Sequence, residues 1–418
     1  MFFIFWGPPS GKLNLLWIEV ALLGGLSVPL LLKHPRYVAS KQAPVNNWHM
    51  NSLCRRIVTI AVLVALAAAT IDFAVMSLEY PHGYWDAWAI WNMRARFLFR
   101  GGYHWTDGSW VYWLHADYPV LIPGAIARVW TYVGQETVLA PQLVAAIFTF
   151  ATVGLICSSL AIQGRSAEAY VAGLLVLGTP SLAIQGASQY ADVPLGFFIL
   201  ATLVLFSFAL LTLTTNNFLL VLAGVTASFA AWTKNEGILF LVAVIIAHFG
   251  YRVARRDWGQ YWSELIPFIF GVVPQLMLLI CFKFRFAPTN DIISGQGLHE
   301  TIERVLDPSR HATVAIGFGK EAVLFGGWSG LFYVPLIMVL YLLLSYDSAE
   351  RRFGQAVAIP AATLFTMVLG YYFVYVTTPH DLAWHLGTSL SRLLMQLWPS
   401  FVFTFFMFPS STMEGIKD

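Results

Sequence analysis

In NFLLVLAGVTASFAAWTKNEGILFLVAVIIAHFG, residues 217–250, two apolar runs enclose the polar residues Lys234, Asn235 and Glu236. A helix needs about 20 apolar residues to cross the hydrocarbon core of a bilayer. The two runs are therefore predicted to be neighbouring transmembrane helices joined by a polar turn. The second run is short and needs residues from 251 onward to complete its span.

The composition of the whole chain points the same way. Of the 418 residues, 58% are hydrophobic and 11% are charged, and the mean hydropathy is +0.67. Soluble domains carry about 25% charged residues, so this chain lacks the charge to cover a water-facing surface. A net charge of +2 gives no argument for a nucleic-acid partner. The three cysteines have neither a disulfide framework nor a metal-binding spacing and are expected to be buried thiols.

Apolar segments of spanning length recur along the chain and predict an all-α polytopic membrane protein with about eleven transmembrane helices. They cover residues 14–33, 57–78, 137–163, 168–186, 193–214, 217–233, 237–250, 264–286, 321–345, 355–376 and 391–409. The first is expected to be a retained span, because no basic region precedes it and no clean cleavage site follows. Residues 1–418 are interpreted as a single membrane domain with two large loops on one side, 79–136 and 287–320.

Lysine and arginine in the short loops set the predicted orientation. The loops 34–56, 251–263 and 346–354 are rich in these residues and fall on one side, which should be cytoplasmic. The loop 79–136 also carries arginines but is assigned to the outer side, because long loops count little under this rule. Its segment 120–134 contains Pro123 and Arg128 and is expected to be an interfacial or re-entrant helix.

Asp86 is the first candidate for chemistry. It lies just inside a predicted amphipathic helix, Trp85 to Arg100, beside the outer end of the second span. This helix is expected to place Trp88 and Trp91 on its apolar face, opposite a polar face, as suits a membrane interface. An acidic residue here is explained either by the helix dipole or by a role as general base.

Four other candidates fall at the same outer ends of spans. Asp192 begins the fifth span as an N-cap or as a second functional carboxylate. Lys234 and Glu236 form either a solvated turn or a functional pair, since ionisable groups near a membrane are costly. Arg392, at the outer start of the last span, is placed to snorkel outward or to hold a lipid-linked phosphate.

Three further residues are candidates for substrate binding on this side: Asp117, Tyr190 and His385. The sequence leaves three roles open for Asp117: a second acid, a metal ligand or a turn residue. The histidines of the first outer loop have no paired spacing on a helix, so no metal site is predicted.

The order of five segments resembles the multi-span GT-C glycosyltransferases, close to protein-mannosyltransferases and lipid A aminoarabinose transferases. The segments are YWDAWAIWNMRARFLFRGG (84–102), HADYPVLIPG (115–124), QYADVPLGFF (189–198), WTKNEGILF (232–240) and HLGTSLSRLLMQLWP (385–399). The resemblance runs from about residue 57 to 410. The Asp-Glu pair common in the protein-mannosylating branch is absent, because Ala87 follows Asp86.

The resemblance implies an inverting transfer of a sugar from a polyprenyl monophosphate to a glycan, lipid or protein acceptor. It implies Asp86 as the general base, Lys234 and Arg392 at the lipid phosphate, and Asp192 and Glu236 as supporting groups. It also implies no cofactor and a place in a bacterial inner membrane, with the active site facing the periplasm. A transporter or flippase, a polymerase or ligase acting on a lipid-diphosphate glycan, and a structural membrane protein are the alternatives.

Overall fold

The computed structural model describes residues 52–101, 115–211, 216–290, 297–327 and 355–407, and all regular structure in these residues is helical. The helices are α1 Ser52–Glu79, α2 Asn92–Gly101, α3 Leu121–Val133, α4 Leu139–Ile162, α5 Ser166–Leu177, α6 Pro180–Ala187, α7 Asp192–Leu211, α8 Asn217–Thr233, α9 Asn235–Arg255, α10 Trp258–Arg285, α11 Leu298–Leu306, α12 Pro308–Leu324, α13 Gln355–Thr377 and α14 Leu382–Met407. A π-helical turn, Ala87–Trp91, precedes α2, and a 3₁₀ turn, Phe325–Gly327, follows α12.

Seven of the described helices are long and apolar enough to cross a membrane: α1, α4, α7, α9, α10, α13 and α14. The pair α5 and α6 forms an eighth span if its 59° bend is a break within one crossing, and α8 is apolar but shorter. The chain is an integral membrane protein, and the predicted all-α polytopic fold is confirmed. The count of eleven spans stays a prediction, because residues 14–33 and 328–345 lie outside the described residues.

Helix α7 lies at the centre of the described bundle and packs against α4, α8, α13 and α14. Its sequence is apolar all round, which is typical of a helix buried on every side. Leu195, Ile199 and Leu203 are completely buried in the core that it shares with its neighbours. The first residue of this central helix is Asp192, so the start of α7 brings a carboxylate into the interior.

The described part of the segment between α1 and α4 includes two short helices, α2 and α3, which pack on each other. The interfacial or re-entrant position of residues 120–134 stays a prediction. Trp88 and Trp91, which are predicted to share one apolar face, differ in exposure: Trp91 is buried, Trp88 is half-exposed, and Asn92 is buried. The π-helical turn explains this, because its wider i→i+5 hydrogen bonding shifts the helical register after Trp88.

The second of the two large loops is more helical than predicted. Helices α11 and α12 occupy residues 298–324, so residues 321–324 end a helix instead of beginning a span. Arg310 of α12 donates from Nε to the carbonyl oxygen of Val376 over 3.0 Å. This contact ties α12 to the carboxyl end of α13, where the last carbonyl groups of a helix lack partners within the helix.

Candidate active site at the outer ends of the helices

Residues from four separate parts of the chain meet at one end of the helix bundle. Helices α1, α6, α8 and α13 end there, helices α7 and α9 begin there, and α14 passes through it. Asp86 follows α1, Asp192 opens α7, and Lys234 is the single extended residue between α8 and α9. Arg392 lies in the third turn of α14, because this helix begins at Leu382, earlier than predicted. All four predicted residues, with Glu236 beside Lys234, are joined in one network of ion pairs.

Arg392 bridges two carboxylates with one nitrogen. Its Nη2 lies 2.5 Å from Oδ2 of Asp86 and 2.8 Å from Oδ2 of Asp192. The guanidinium also lies over the ring of Tyr190, 4.4 Å from the ring centroid. A cation in this position is attracted both by the carboxylates and by the face of the aromatic ring. The predicted site residue Tyr190 therefore contacts one face of the Arg392 guanidinium.

Lys234 forms the second cationic centre. Its Nζ lies 3.0 Å from Oδ1 of Asp192 and 2.9 Å from Oε1 of Glu236, and its side chain is 5% exposed. Burial by itself lowers the pKa of Lys234, but the charges of Asp192 and Glu236 outweigh it and raise the pKa above its usual value. Lys234 is therefore charged at neutral pH, and the reading of this segment as a solvated turn is wrong.

Asp192 is the centre of the network. Its side chain is completely buried, and its two oxygens accept from Arg392, Lys234 and Gln396. Nε2 of Gln396 lies 2.5 Å from Oδ1 of Asp192, and Oε1 of Gln396 accepts from the hydroxyl of Tyr371 over 2.7 Å. A buried carboxylate needs such compensation from cations and donors.

Sequence reasoning missed Gln396. The available signal is its spacing, because residues four apart lie on one face of a helix and Gln396 follows Arg392 by four. Gln396 lies on the same helix face as Arg392, the predicted phosphate-binding residue, and was therefore a candidate for the same site.

Gly83 fixes the direction of the loop that carries Asp86. Its φ of +72° is one that side chains rarely adopt, and a Cβ there would lie 2.6 Å from both the carbonyl oxygen of Ser188 and Cβ of Ala87. The backbone N–H of Tyr84 donates to the same Ser188 oxygen over 3.2 Å. The loop therefore docks on the chain just before Tyr190 and Asp192, which brings Asp86 to Arg392.

Asp117 forms a second polar cluster next to the first. Its Oδ2 accepts from Asn235 over 2.6 Å and from Asn290 over 2.8 Å. Nζ of Lys283 donates to the backbone oxygen of Asp117 over 2.6 Å and to Oδ1 of Asn235 over 2.7 Å. Because Asn235 is adjacent to Lys234 in the chain, this cluster anchors the break between α8 and α9. The sequence analysis gave none of these three partners of Asp117 a role in the site.

Arg94 holds the turn that carries Asp117. Its Nη1 donates to the carbonyl oxygen of Tyr118 over 2.8 Å, and its Nη2 donates to the carbonyl oxygen of His115. Burial lowers the pKa of Arg94 to about 10, which still leaves it charged at neutral pH. Burial and the charge of Glu236 raise the pKa of Tyr118 far above its usual value, so its phenol stays protonated.

His385 contacts residues of α14, the end of α13 and the turn between them. Its Nδ1 is 3.0 Å from Oγ1 of Thr378, and its ring packs against Tyr375 at 4.8 Å between centroids. The hydroxyl of Tyr375 lies 2.7 Å from Oγ of Ser389. The predicted substrate-binding role of His385 stays a prediction.

Two polar atoms of the network are buried without a hydrogen-bond partner in the described part of the chain, Nε of Arg392 and Oε2 of Glu236. Such atoms are costly in a protein interior. Within the same residues, His, Cys, Asp and Glu side chains form no group of three placed to hold a metal ion. One N–H donor and one carboxylate oxygen of the described site are therefore left without a hydrogen bond.

Neither the models of protein families nor the curated proteins include a match to this chain. Two solved structures of ArnT from Cupriavidus metallidurans are similar to it. The structure in the apo state has 14% identity, a TM-score of 0.50, and coverage of 84% of this chain and 59% of the ArnT chain. The structure bound to undecaprenyl phosphate has 15% identity, a TM-score of 0.49, and coverage of 83% and 59%.

The chain thus spans about three fifths of the length of the ArnT chain. At this identity the likeness to the apo structure establishes a shared fold. The all-α polytopic fold predicted from the sequence is therefore a fold that this chain shares with ArnT.

Proposed function

We propose that this protein is a membrane glycosyltransferase that moves a sugar from a polyprenyl monophosphate to an acceptor on the outer side of the membrane. The observation that carries the proposal is the contact of Asp86 with a cationic centre formed by Arg392 and Lys234 in a GT-C fold. A base and two phosphate-binding cations are the groups that such a transfer requires at adjacent positions.

The cations suit a phosphate at the depth of the lipid headgroups. Arg392 presents a planar fork that matches phosphate geometry, and Lys234 presents a point charge. Both belong to the outer ends of spans, where the phosphate of a membrane-bound isoprenoid lies. A polyprenyl chain keeps the donor in the bilayer, so the enzyme must take hold of the phosphate at this depth.

In the proposed step, an acceptor hydroxyl oxygen attacks the anomeric carbon of the donor sugar. The new carbon–oxygen bond forms as the bond from the anomeric carbon to the phosphate oxygen breaks. The electron pair of the broken bond leaves with the polyprenyl phosphate, and the hydroxyl proton passes to Asp86. Attack on the face opposite the phosphate inverts the anomeric centre. Arg392 and Lys234 offset the negative charge that grows on the leaving phosphate.

Several features of the proposal follow from this assignment. The two cations supply the charge that a metal ion otherwise supplies to a leaving phosphate, so no divalent metal is required. We place the protein in a bacterial inner membrane with this site facing the periplasm. Tyr190, Asp192, Glu236 and Asp117 support the site or contact the substrate. A transporter is less well supported, because its ionisable groups are expected near the midplane of the bilayer.

The test uses the donor that accumulates as a lipid-linked sugar in cells from which the gene is deleted. Asp86→Asn should lower sugar transfer by at least about a hundredfold while donor binding persists. Lys234→Ala and Arg392→Ala should each weaken donor binding. Asp381→Asn is the matched control, because Asp381 is an exposed carboxylate that caps α14 at the N–H of Trp384, and asparagine caps equally well. Transfer by Asp86→Asn at the wild-type rate would refute the proposed base.

A further inference from the structure

The nitrogen that joins Asp86 to Arg392 has no spare proton. Nη2 of an arginine carries two N–H groups. Here Nη2 lies within hydrogen-bonding distance of both Asp86 and Asp192. A phosphate that binds the guanidinium with two parallel hydrogen bonds uses an edge of the fork that includes Nη2, either with Nε or with Nη1. Nε is buried and lacks a partner in the described residues, and Nη1 has no hydrogen bond to them either, so each of the two edges combines one unused donor with the shared Nη2.

A phosphate that binds through two parallel hydrogen bonds on either edge must therefore replace one of the two carboxylates at Nη2. Asp192 is the harder one to displace, because its side chain is completely buried and is also held by Lys234 and Gln396. Asp86 is 16% exposed, and Arg392 is the hydrogen-bonding partner that the described residues give its carboxylate. The weaker attachment belongs to Asp86.

We infer that the donor phosphate and the Asp86 carboxylate compete for Nη2 of Arg392, so that donor binding itself releases Asp86 to act as a base. This inference rests on the proposed function and adds a regulation of the same site. While Asp86 is paired with Arg392, Oδ2 of its carboxylate accepts from the guanidinium and is not available to an acceptor hydroxyl. When the phosphate takes its place, Asp86 keeps its position near the anomeric carbon without its cationic partner. The base becomes active only when a donor is present to be used.

The test measures binding of undecaprenyl phosphate, which carries no sugar, to the full chain in detergent micelles. If the two anions compete, Asp86→Asn should tighten binding by about fivefold, which corresponds to the contribution of about 1 kcal/mol expected for a partly exposed ion pair. Asp86→Ser provides a second variant with the same expectation if the asparagine variant does not fold. Asp381→Asn removes a charge on the same side and should leave the affinity unchanged.

The competition also predicts a dependence on Arg392. In an Arg392→Gln background, Asp86→Asn should give no further tightening, because the shared nitrogen is gone. Tightening of the same size in that background, or with Asp381→Asn, would show a general charge effect and overturn the inference. Unchanged or weaker binding by Asp86→Asn would also overturn it, even if loss of transfer upheld Asp86 as the base. Absence of undecaprenyl phosphate binding by the wild-type protein would overturn both this inference and the proposed function.

Discussion

Replacing Asp192 with asparagine tests whether the buried network stabilises the folded protein. The carboxylate of Asp192 is completely buried and accepts from Arg392, Lys234 and Gln396 at 2.5–3.0 Å. Removing one partner of a buried ion pair costs about 3–5 kcal/mol in the free energy of unfolding. Each cation keeps one other carboxylate, Asp86 for Arg392 and Glu236 for Lys234. We therefore expect a loss near the lower limit, about 3 kcal/mol.

The same reasoning predicts a smaller effect for Asp86→Asn. Asp86 is partly exposed and has a single ion-pair partner among the described residues, and such pairs contribute up to about 1 kcal/mol. The free energies are measured by unfolding the wild-type protein and both variants in mixed micelles with a rising fraction of a denaturing detergent, followed by tryptophan fluorescence. A loss below about 1 kcal/mol for Asp192→Asn, or equal losses for the two variants, would refute the assignment of Asp192 as the centre of the network.

Three further predictions address the turn, the arginine and the metal. Gly237→Ala should abolish folding, because a Cβ at Gly237 would lie 1.9 Å from the carbonyl oxygen of Ala230. Gly250→Ala in the same helix is the control, because a Cβ there meets nothing within 4 Å. The yield of monodisperse protein distinguishes the two variants, and equal yields would contradict the close approach of α9 to the end of α8. Tyr190→Leu should weaken undecaprenyl phosphate binding by about fivefold, since a cation–π contact contributes about 1 kcal/mol, while Tyr190→Phe keeps the ring under Arg392 and should bind as the wild type does. Treatment with EDTA should leave sugar transfer unchanged, and a loss of activity that a divalent ion restores would show that the two cations do not suffice.

Much of the candidate site was predictable because its residues break strong local patterns. Lys234 and Glu236 interrupt an apolar stretch, and Asp192 opens one, so composition alone marks them as unusual in a membrane protein. Their common side followed from counting spans. Composition alone did not identify a role for Asp86, because an acidic residue at the start of a helix is also explained by the helix dipole. The resemblance to GT-C enzymes decided its predicted role.

The residues that were missed or misjudged have contacts that no local pattern reveals. Gln396 and Lys283 occur within apolar helices as ordinary polar residues, and their roles come from the buried acids that they meet. Trp88 and Trp91 differ in exposure because a π-helical turn changes the helical register between them, and no pattern in the sequence signals that turn. Arg392 was placed at the start of its helix because apolar periodicity does not include the polar first turns of α14.

The sequence by itself determined that this protein is a bundle of membrane-spanning helices whose exceptional polar residues lie at one side. Apolar runs of spanning length suffice for that, because a bilayer forces a buried backbone to satisfy its own hydrogen bonds within a helix. Only the tertiary structure decided which of those residues are partners. Arg392 meets Asp86 across 306 positions of the chain and Asp192 across 200. Such pairings depend on how α7, α9 and α14 pack together, and helix packing is set by the whole interior rather than by the residues that flank each charge.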